Sequence, residues 1–211
     1  SNSSAASDVY KRQIYDRSKR KGRGENMDSG ANNYLRFLEG DDEGIGEIIR
    51  EYRDGLMMFL NGYVKNIHTA EELTENTFVK LVIKKPKYKG NYSFKTWLYT
   101  IGRNEAINYL KHRKRFSDKP VEDFKNLLRD EENLEKLYFA EERKIAVHSS
   151  LQKLNGDYRQ VLYLTVFEEL TNEEAARVMK KNKRQIENLV YRAKKALKAE
   201  LEKEGFVYEE L

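Results

Sequence analysis

The chain has 211 residues, with 40 Lys plus Arg against 35 Asp plus Glu, a formal net charge of +5, 2 Pro, 3 His and no Cys. That length allows one or two domains with cores of their own, and the missing Cys excludes disulfides, thiolate metal sites and cysteine nucleophiles, which makes a cytoplasmic location the simplest expectation. The longest apolar run, Leu56–Leu60, is too short to span a membrane, and His68, His112 and His148 lie too far apart for metal-type pairing, so no metal or cofactor is expected.

Residues 1–26 hold seven Lys/Arg, three acids and little that could form a core; this basic leader is expected to be disordered and non-native. Asn32–Leu38 reads as a short helix with Tyr34, Leu35 and Leu38 on one side. Gly40-Asp41-Asp42 is a turn that caps a helix from Glu43 to about Tyr63, with Ile45, Ile48, Ile49, Tyr52, Leu56, Phe59 and Leu60 at helical spacing. Thr69 and Glu72 fit a capping box opening a helix to about Ile83 that buries Leu73, Phe78, Leu81 and Val82. Lys84–Tyr92, with Pro86 and Gly90, is a loop. Ser93 caps a long helix through Phe94, Trp97, Leu98 and Ile101 into the basic run Lys111–Arg115.

Residues 116–144 break the pattern with Pro120 and mostly acidic side chains, and are expected to form a flexible linker. Ile145–Lys153 and Asp157–Phe167 are two further helices. Thr171 and Glu174 make a second capping box for a helix to Met179; Lys180-Lys181-Asn182 turns the chain, and Asn182 caps a helix from Lys183 to about Lys203. No alternating run suggests a strand. The expectation is an all-α chain of two small helical domains, 27–115 and 145–211, joined by an acidic linker.

The last two helices form a helix-turn-helix, in which small Ala175 and Ala176 let them approach closely. Ile186, Leu189 and Val190 face inward, leaving Lys183, Arg184, Gln185, Glu187, Asn188, Tyr191 and Arg192 outside. That outer set carries base-reading chemistry: Arg192 suits guanine, Asn188 adenine and Glu187 a cytosine amino group, while Lys180, Lys181, Lys194 and Lys195 suit phosphates. Farther back, Tyr88 and Tyr92 sit among Lys84, Lys85, Lys87 and Lys89 in a polar loop, where exposed rings could stack on unpaired bases. Trp97 shares an apolar stripe with Phe94 and Ile101 and is expected in the core; Asn104 and Asn108, one turn apart, suit either interhelical bonds or DNA.

Charge is sorted along the chain. Residues 84–115 hold ten bases and one acid, 118–142 nine acids and four bases, and 177–198 nine bases and one acid. Two basic modules separated by an acidic tether point to two places where phosphate backbone is met. No grouped His and carboxylate constellation and no phosphate-binding glycine loop suggests an enzyme. The helix-turn-helix taken alone also fits a stand-alone regulator, which would usually dimerise on two half-sites.

His68-Thr69-Ala70-Glu71-Glu72-Leu73-Thr74-Glu75-Asn76-Thr77-Phe78, then Phe94-x-x-Trp97-Leu98-Tyr99-x-Ile101-x-Arg103-Asn104, then Leu170-Thr171-x-Glu173-Glu174-Ala175-Ala176 with Tyr191-Arg192-Ala193, resemble the segments of small bacterial sigma factors of the extracytoplasmic-function (ECF) subfamily. The resemblance covers about 150 of the 211 residues in the same order. It implies a subunit, not an enzyme, that directs core RNA polymerase to promoters. The polymerase clamp would be met by Glu71, Glu72, Glu75, Asn76 and Val79; the melted −10 element by Tyr88, Lys89, Asn91, Tyr92, Arg103, Asn104, Asn108 and Lys111; and the −35 duplex by Lys183, Arg184, Glu187, Asn188, Tyr191 and Arg192. The implied partners are core polymerase, promoter DNA and, as a further candidate, an anti-sigma factor. The usual Gly-hydrophobic pair of the turn is Lys180-Lys181 here.

Overall fold

The computed structural model describes residues 28–116 and 149–203. The basic leader 1–26 and nearly all of the acidic linker lie outside the described residues, as does the start of the helix expected from Ile145. The described residues are helical: α1 (Ser29–Leu38), α2 (Glu43–Val64), α3 (Ile67–Lys84), α4 (Phe94–Phe116), a helical segment at 149–153, α5 (Gly156–Leu162), α6 (Asn172–Met179) and α7 (Lys183–Lys203).

α2 is the central helix of the first group, with α1, α3 and α4 packed around it. It carries Ile48, Leu56, Phe59 and Leu60, all essentially inaccessible to water, against Leu81 of α3 and Phe94, Leu98 and Tyr99 of α4. α1 begins three residues earlier than the periodicity suggests, because Asp28 caps it by accepting from the Gly30 amide at 3.2 Å. The same carboxylate accepts from the Phe94 amide at the start of α4, so one side chain fixes the origins of two helices. Of the side expected from sequence, Tyr34 is fully buried while Leu35 and Leu38 are half-buried, and Phe37, outside that set, is buried with Tyr34. Tyr34, Phe94, Trp97 and Tyr88 form a continuous aromatic cluster with ring centroids 5.2–5.6 Å apart, arrangements worth about 0.5–1.5 kcal/mol per pair beyond area burial.

The start of α3 differs from expectation. Its cap is Asn66, whose Oδ1 accepts from the Thr69 amide at 2.8 Å; Thr69 lies inside the first turn, and the expected Thr69–Glu72 box does not form. The cause is the preceding residue. Lys65 ends α2 in the left-handed region (φ 52°), so the chain reverses within two residues and leaves no room for a later start. Val82, expected to be buried, is 41% exposed and Ile83 68%.

In the second group, α7 packs across α5 and α6, with Leu162, Leu164, Val178, Ile186 and Ala193 inside. Asn155 caps α5. The expected single helix to Phe167 instead loosens into a π-helical turn at Tyr163–Phe167, closed by the Glu168 amide donating to the Tyr163 carbonyl at 3.0 Å. The capping box of Thr171 and Glu174 is formed as expected. A second box was not expected: Asn182 Oδ1 accepts from the Gln185 amide at 2.8 Å, and Gln185 Oε1 from the Asn182 amide at 2.9 Å. The two groups pack directly on one another, α6 against α4 and α5 against α2.

Candidate nucleic-acid and polymerase interfaces

The loop between α3 and α4 encloses an open pocket of about 300 Å³ lined by Lys87, Tyr88, Lys89, Gly90, Asn91, Tyr92 and Trp97. Two backbone turns shape it: Lys85 and Gly90 both have positive φ (41° and 63°). Tyr88 is not the exposed ring that its polar neighbours suggest. It is 4% exposed, packed on Phe94 and Trp97, and donates its hydroxyl to the Tyr92 carbonyl at 2.5 Å. Its neighbours in sequence are lysines; its neighbours in space are the aromatics of α4. Tyr92 is half-buried and lies beneath the Arg177 guanidinium, 4.9 Å from the ring centroid. Lys89 and Asn91 are exposed at the rim, and half-buried Trp97 supplies an apolar wall.

The remaining −10 candidates lie along α4 rather than at the pocket. At about 100° per residue, Asn104, Asn108 and Lys111 fall on the face that carries Trp97. Asn108 and Lys111 are exposed and Asn104 is half-buried. Arg103 stands off that line. It lies against Tyr63 of α2, whose phenol burial pushes up to about 12 against the pull of the Arg103 guanidinium.

On α3, Glu72, Glu75, Asn76 and Val79 are exposed on one face. Glu71 is half-buried and paired with Arg53 at 2.8 Å. Val82 and Ile83 extend this face, turning an acidic start into an apolar end. Their signal in the sequence is an apolar pair at the end of the helix, just past the buried Leu81.

α7 presents Lys183, Arg184, Glu187, Asn188, Tyr191 and Arg192 to solvent. At about 100° per residue, Glu187, Tyr191, Arg184, Asn188 and Arg192 follow one another round an arc of about 140°, with Lys183 roughly 40° beyond Glu187. Tyr191 is 72% exposed, although large and aromatic. Lys183 is tied to Glu173 of α6 at 3.1 Å, which raises its pKa. At the turn, Lys180 is left-handed (φ 54°), and Lys181 pairs with Asp157 of α5 at 3.0 Å. Among the described residues no group of His, Cys, Asp and Glu could hold a metal ion, and no helix is long and apolar enough to cross a membrane.

The first helical group thus carries a pocket lined by aromatics ahead of a basic helix, and the second is a helix-turn-helix with a solvent-facing outer helix. Two family patterns match in that order: sigma-70 region 2 over residues 48–116 and sigma-70 region 4 over residues 144–197. The chain belongs to the sigma-70 family, as an ECF-type RNA polymerase sigma factor. It is 28% identical over 170 residues to RNA polymerase sigma-H factor of Pseudomonas aeruginosa, covering 77% of this chain and 88% of the relative. It is 28% identical over 159 residues to ECF RNA polymerase sigma factor SigM of Bacillus subtilis, covering 74% and 93%. Among solved structures, the sigma factor RpoE of Bartonella quintana, crystallised with the anti-sigma factor NepR, shares the fold at a TM-score of 0.57 and 20% identity, covering 74% of this chain and 96% of that one.

Proposed function

We propose that this chain gives core RNA polymerase its promoter specificity, and that it divides the task between its two helical groups. The observation that carries this is the conjunction of an open, aromatic-walled pocket at the head of a basic helix with a separate helix that turns Lys183, Arg184, Glu187, Asn188, Tyr191 and Arg192 to solvent. Residues 27–115 would form the polymerase-clamp and −10 domain and 145–211 the −35 domain, with 116–144 as linker.

Glu72, Glu75, Asn76 and Val79, extended by Val82 and Ile83, form the proposed polymerase face. A base drawn from the melted strand would enter the loop pocket against Trp97, with Lys89 and Asn91 at its rim and Asn104, Asn108 and Lys111 carrying the strand away. Aromatic stacking of this kind is worth about 1–3 kcal/mol per base. Glu187, Asn188, Tyr191 and Arg192 would read the −35 duplex, with Lys183 and Arg184 beside them. The chain would act in the cytoplasm as a regulatory subunit and not as an enzyme, with an anti-sigma factor as a further candidate partner.

The test is transcription in vitro from a random promoter library with core polymerase and the full chain. Transcripts starting at fixed sites and sharing two upstream motifs are expected. Transcripts without a shared motif, or none above core polymerase alone, would refute the proposal.

A further inference from the structure

One acid stands in the outer face of α7. Residues 177–198 hold nine Lys/Arg and a single carboxylate, Glu187. It is not on the rear of the helix, where it would be an ordinary solvated charge. The inner side is fixed by Ile186, fully buried next to it, and by Ala193, two turns after Ile186. Glu187 therefore projects outward between Lys183 and Tyr191, each one turn away and exposed. It is the fifth residue of α7, in the end of the helix that a helix-turn-helix brings to base edges. The reciprocal bonds of Asn182 and Gln185 lock that end of the helix, so the position of Glu187 is set before DNA arrives.

The carboxylate is also unclaimed. Among the described residues no hydrogen bond or ion pair holds it. Lys183, the cation one turn before it, is bound instead to Glu173 of α6 at 3.1 Å. A free carboxylate on a surface that approaches phosphate weakens binding at every sequence. It offsets that loss only where a base edge donates a hydrogen bond to it. In the major groove cytosine N4 donates, with no acceptor of its own beside it. Adenine N6 also donates, but the N7 acceptor lies next to it. Guanine N7 and O6 and thymine O4 only accept. A carboxylate is therefore drawn to cytosine, less to adenine, and repelled by guanine and thymine.

We propose that Glu187 is the residue that excludes wrong −35 sequences: it selects cytosine at one position, and does so by repelling the other bases more than by adding affinity. This rests on the assignment of α7 to −35 DNA and adds to it the base selected and the sign of the effect. The side chains of the outer arc divide the task. Arg184, Asn188 and Arg192, exposed around the same arc, supply attraction through donors that suit guanine and adenine. Glu187 supplies discrimination, which is a difference between two affinities and is built as well from a repulsive group as from an attractive one. One contact of this kind is expected to favour cytosine over guanine or thymine about tenfold.

The test is transcription in vitro by limiting core polymerase with the full chain, first from promoters randomised across the −35 element, then from single promoters differing at one base. With the unsubstituted chain, one position should favour cytosine about tenfold. Glu187→Ala should flatten that position alone, and should raise the transcript yield of the guanine and thymine promoters several-fold without raising that of the cytosine promoter. Glu187→Gln should move the preference to adenine, because an amide accepts from N6 while donating to N7. A residue that only shapes the helix would not redirect the choice of base, and at an exposed position neither substitution touches the core. A cytosine preference retained in both variants would overturn the proposal, as would an equal loss at every −35 position in Glu187→Ala. A flattened position with no gain for guanine or thymine would overturn the repulsion. If the unsubstituted chain yields transcripts with no shared −35 motif, the assignment of α7 to −35 DNA fails instead, and the proposal with it.

Discussion

Tyr88 and Tyr92 stand four residues apart in one loop and play opposite parts. Tyr88 is structural, with its ring in the aromatic cluster and its hydroxyl holding the Tyr92 carbonyl. Truncating it to Ala would remove a core ring, a loss of about 3–5 kcal/mol, and would say nothing specific about DNA. Tyr88→Phe removes only the hydroxyl and should cost about 1 kcal/mol, measured by urea unfolding. If the hydroxyl sets the loop for a flipped base, the same variant lowers permanganate reactivity of the melted −10 thymines while leaving −35 duplex binding unchanged. Reactivity equal to the unsubstituted chain would show that the pocket does not need it. On α7 the exposed side chains answer to a different measurement. Arg192→Ala should cost about 1–3 kcal/mol of −35 affinity and relax preference at one base position. Equal loss on every −35 sequence would make Arg192 a phosphate contact.

Helix boundaries here are decided by single caps, and a cap can be tested by removing it. Asn66→Ala should destabilise the chain by about 1 kcal/mol, whereas Thr69→Ala should change stability by less than about 0.5 kcal/mol; the reverse order in urea unfolding would restore the Thr69 cap. The turn of the helix-turn-helix offers the opposite experiment. Lys180 takes a left-handed conformation that costs a non-glycine residue about 1 kcal/mol. Lys180→Gly should therefore raise stability by up to about 1 kcal/mol, less what glycine adds to the freedom of the unfolded chain. The helices themselves were legible in the sequence because apolar periodicity and capping motifs are local: α2, α4, α6 and α7 match their expected spans closely. What was not legible depends on residues far apart in sequence. Asp28 capping α4, Tyr34 packed on Phe94 and Glu168 resting on Gly55 each join positions that no window of eighteen residues contains. The exposed face of α7 could be read because a helix-turn-helix buries a short, fixed pattern; the loop pocket could be placed but not its rings, since a polar loop does not announce which aromatic turns inward.

At the scale of the whole molecule, the sorting of charge takes on a second meaning. The acidic tether separates two basic modules in the sequence, yet two acids of the second helical group, Glu168 and Glu174, lie on the head of α4, at Lys95 and at Ser93 and Thr96. The fold should therefore respond to acid in a defined direction. Burial pushes the Glu174 carboxyl up, but hydrogen bonds from Ser93, from the Thr171 amide and hydroxyl, and from Thr96 outweigh it, and the pKa falls below the ordinary 4.5. The folded chain consequently binds fewer protons than the unfolded one near that pH, so this contribution is fully present above the ordinary carboxyl value and is lost as pH falls through the lowered one. Stability measured by urea unfolding should decline as pH falls from about 5 to below about 4. Glu174→Gln keeps an acceptor for the cap but cannot titrate, so the decline should flatten in that variant. An equal decline in both chains would assign the acid response to other carboxylates.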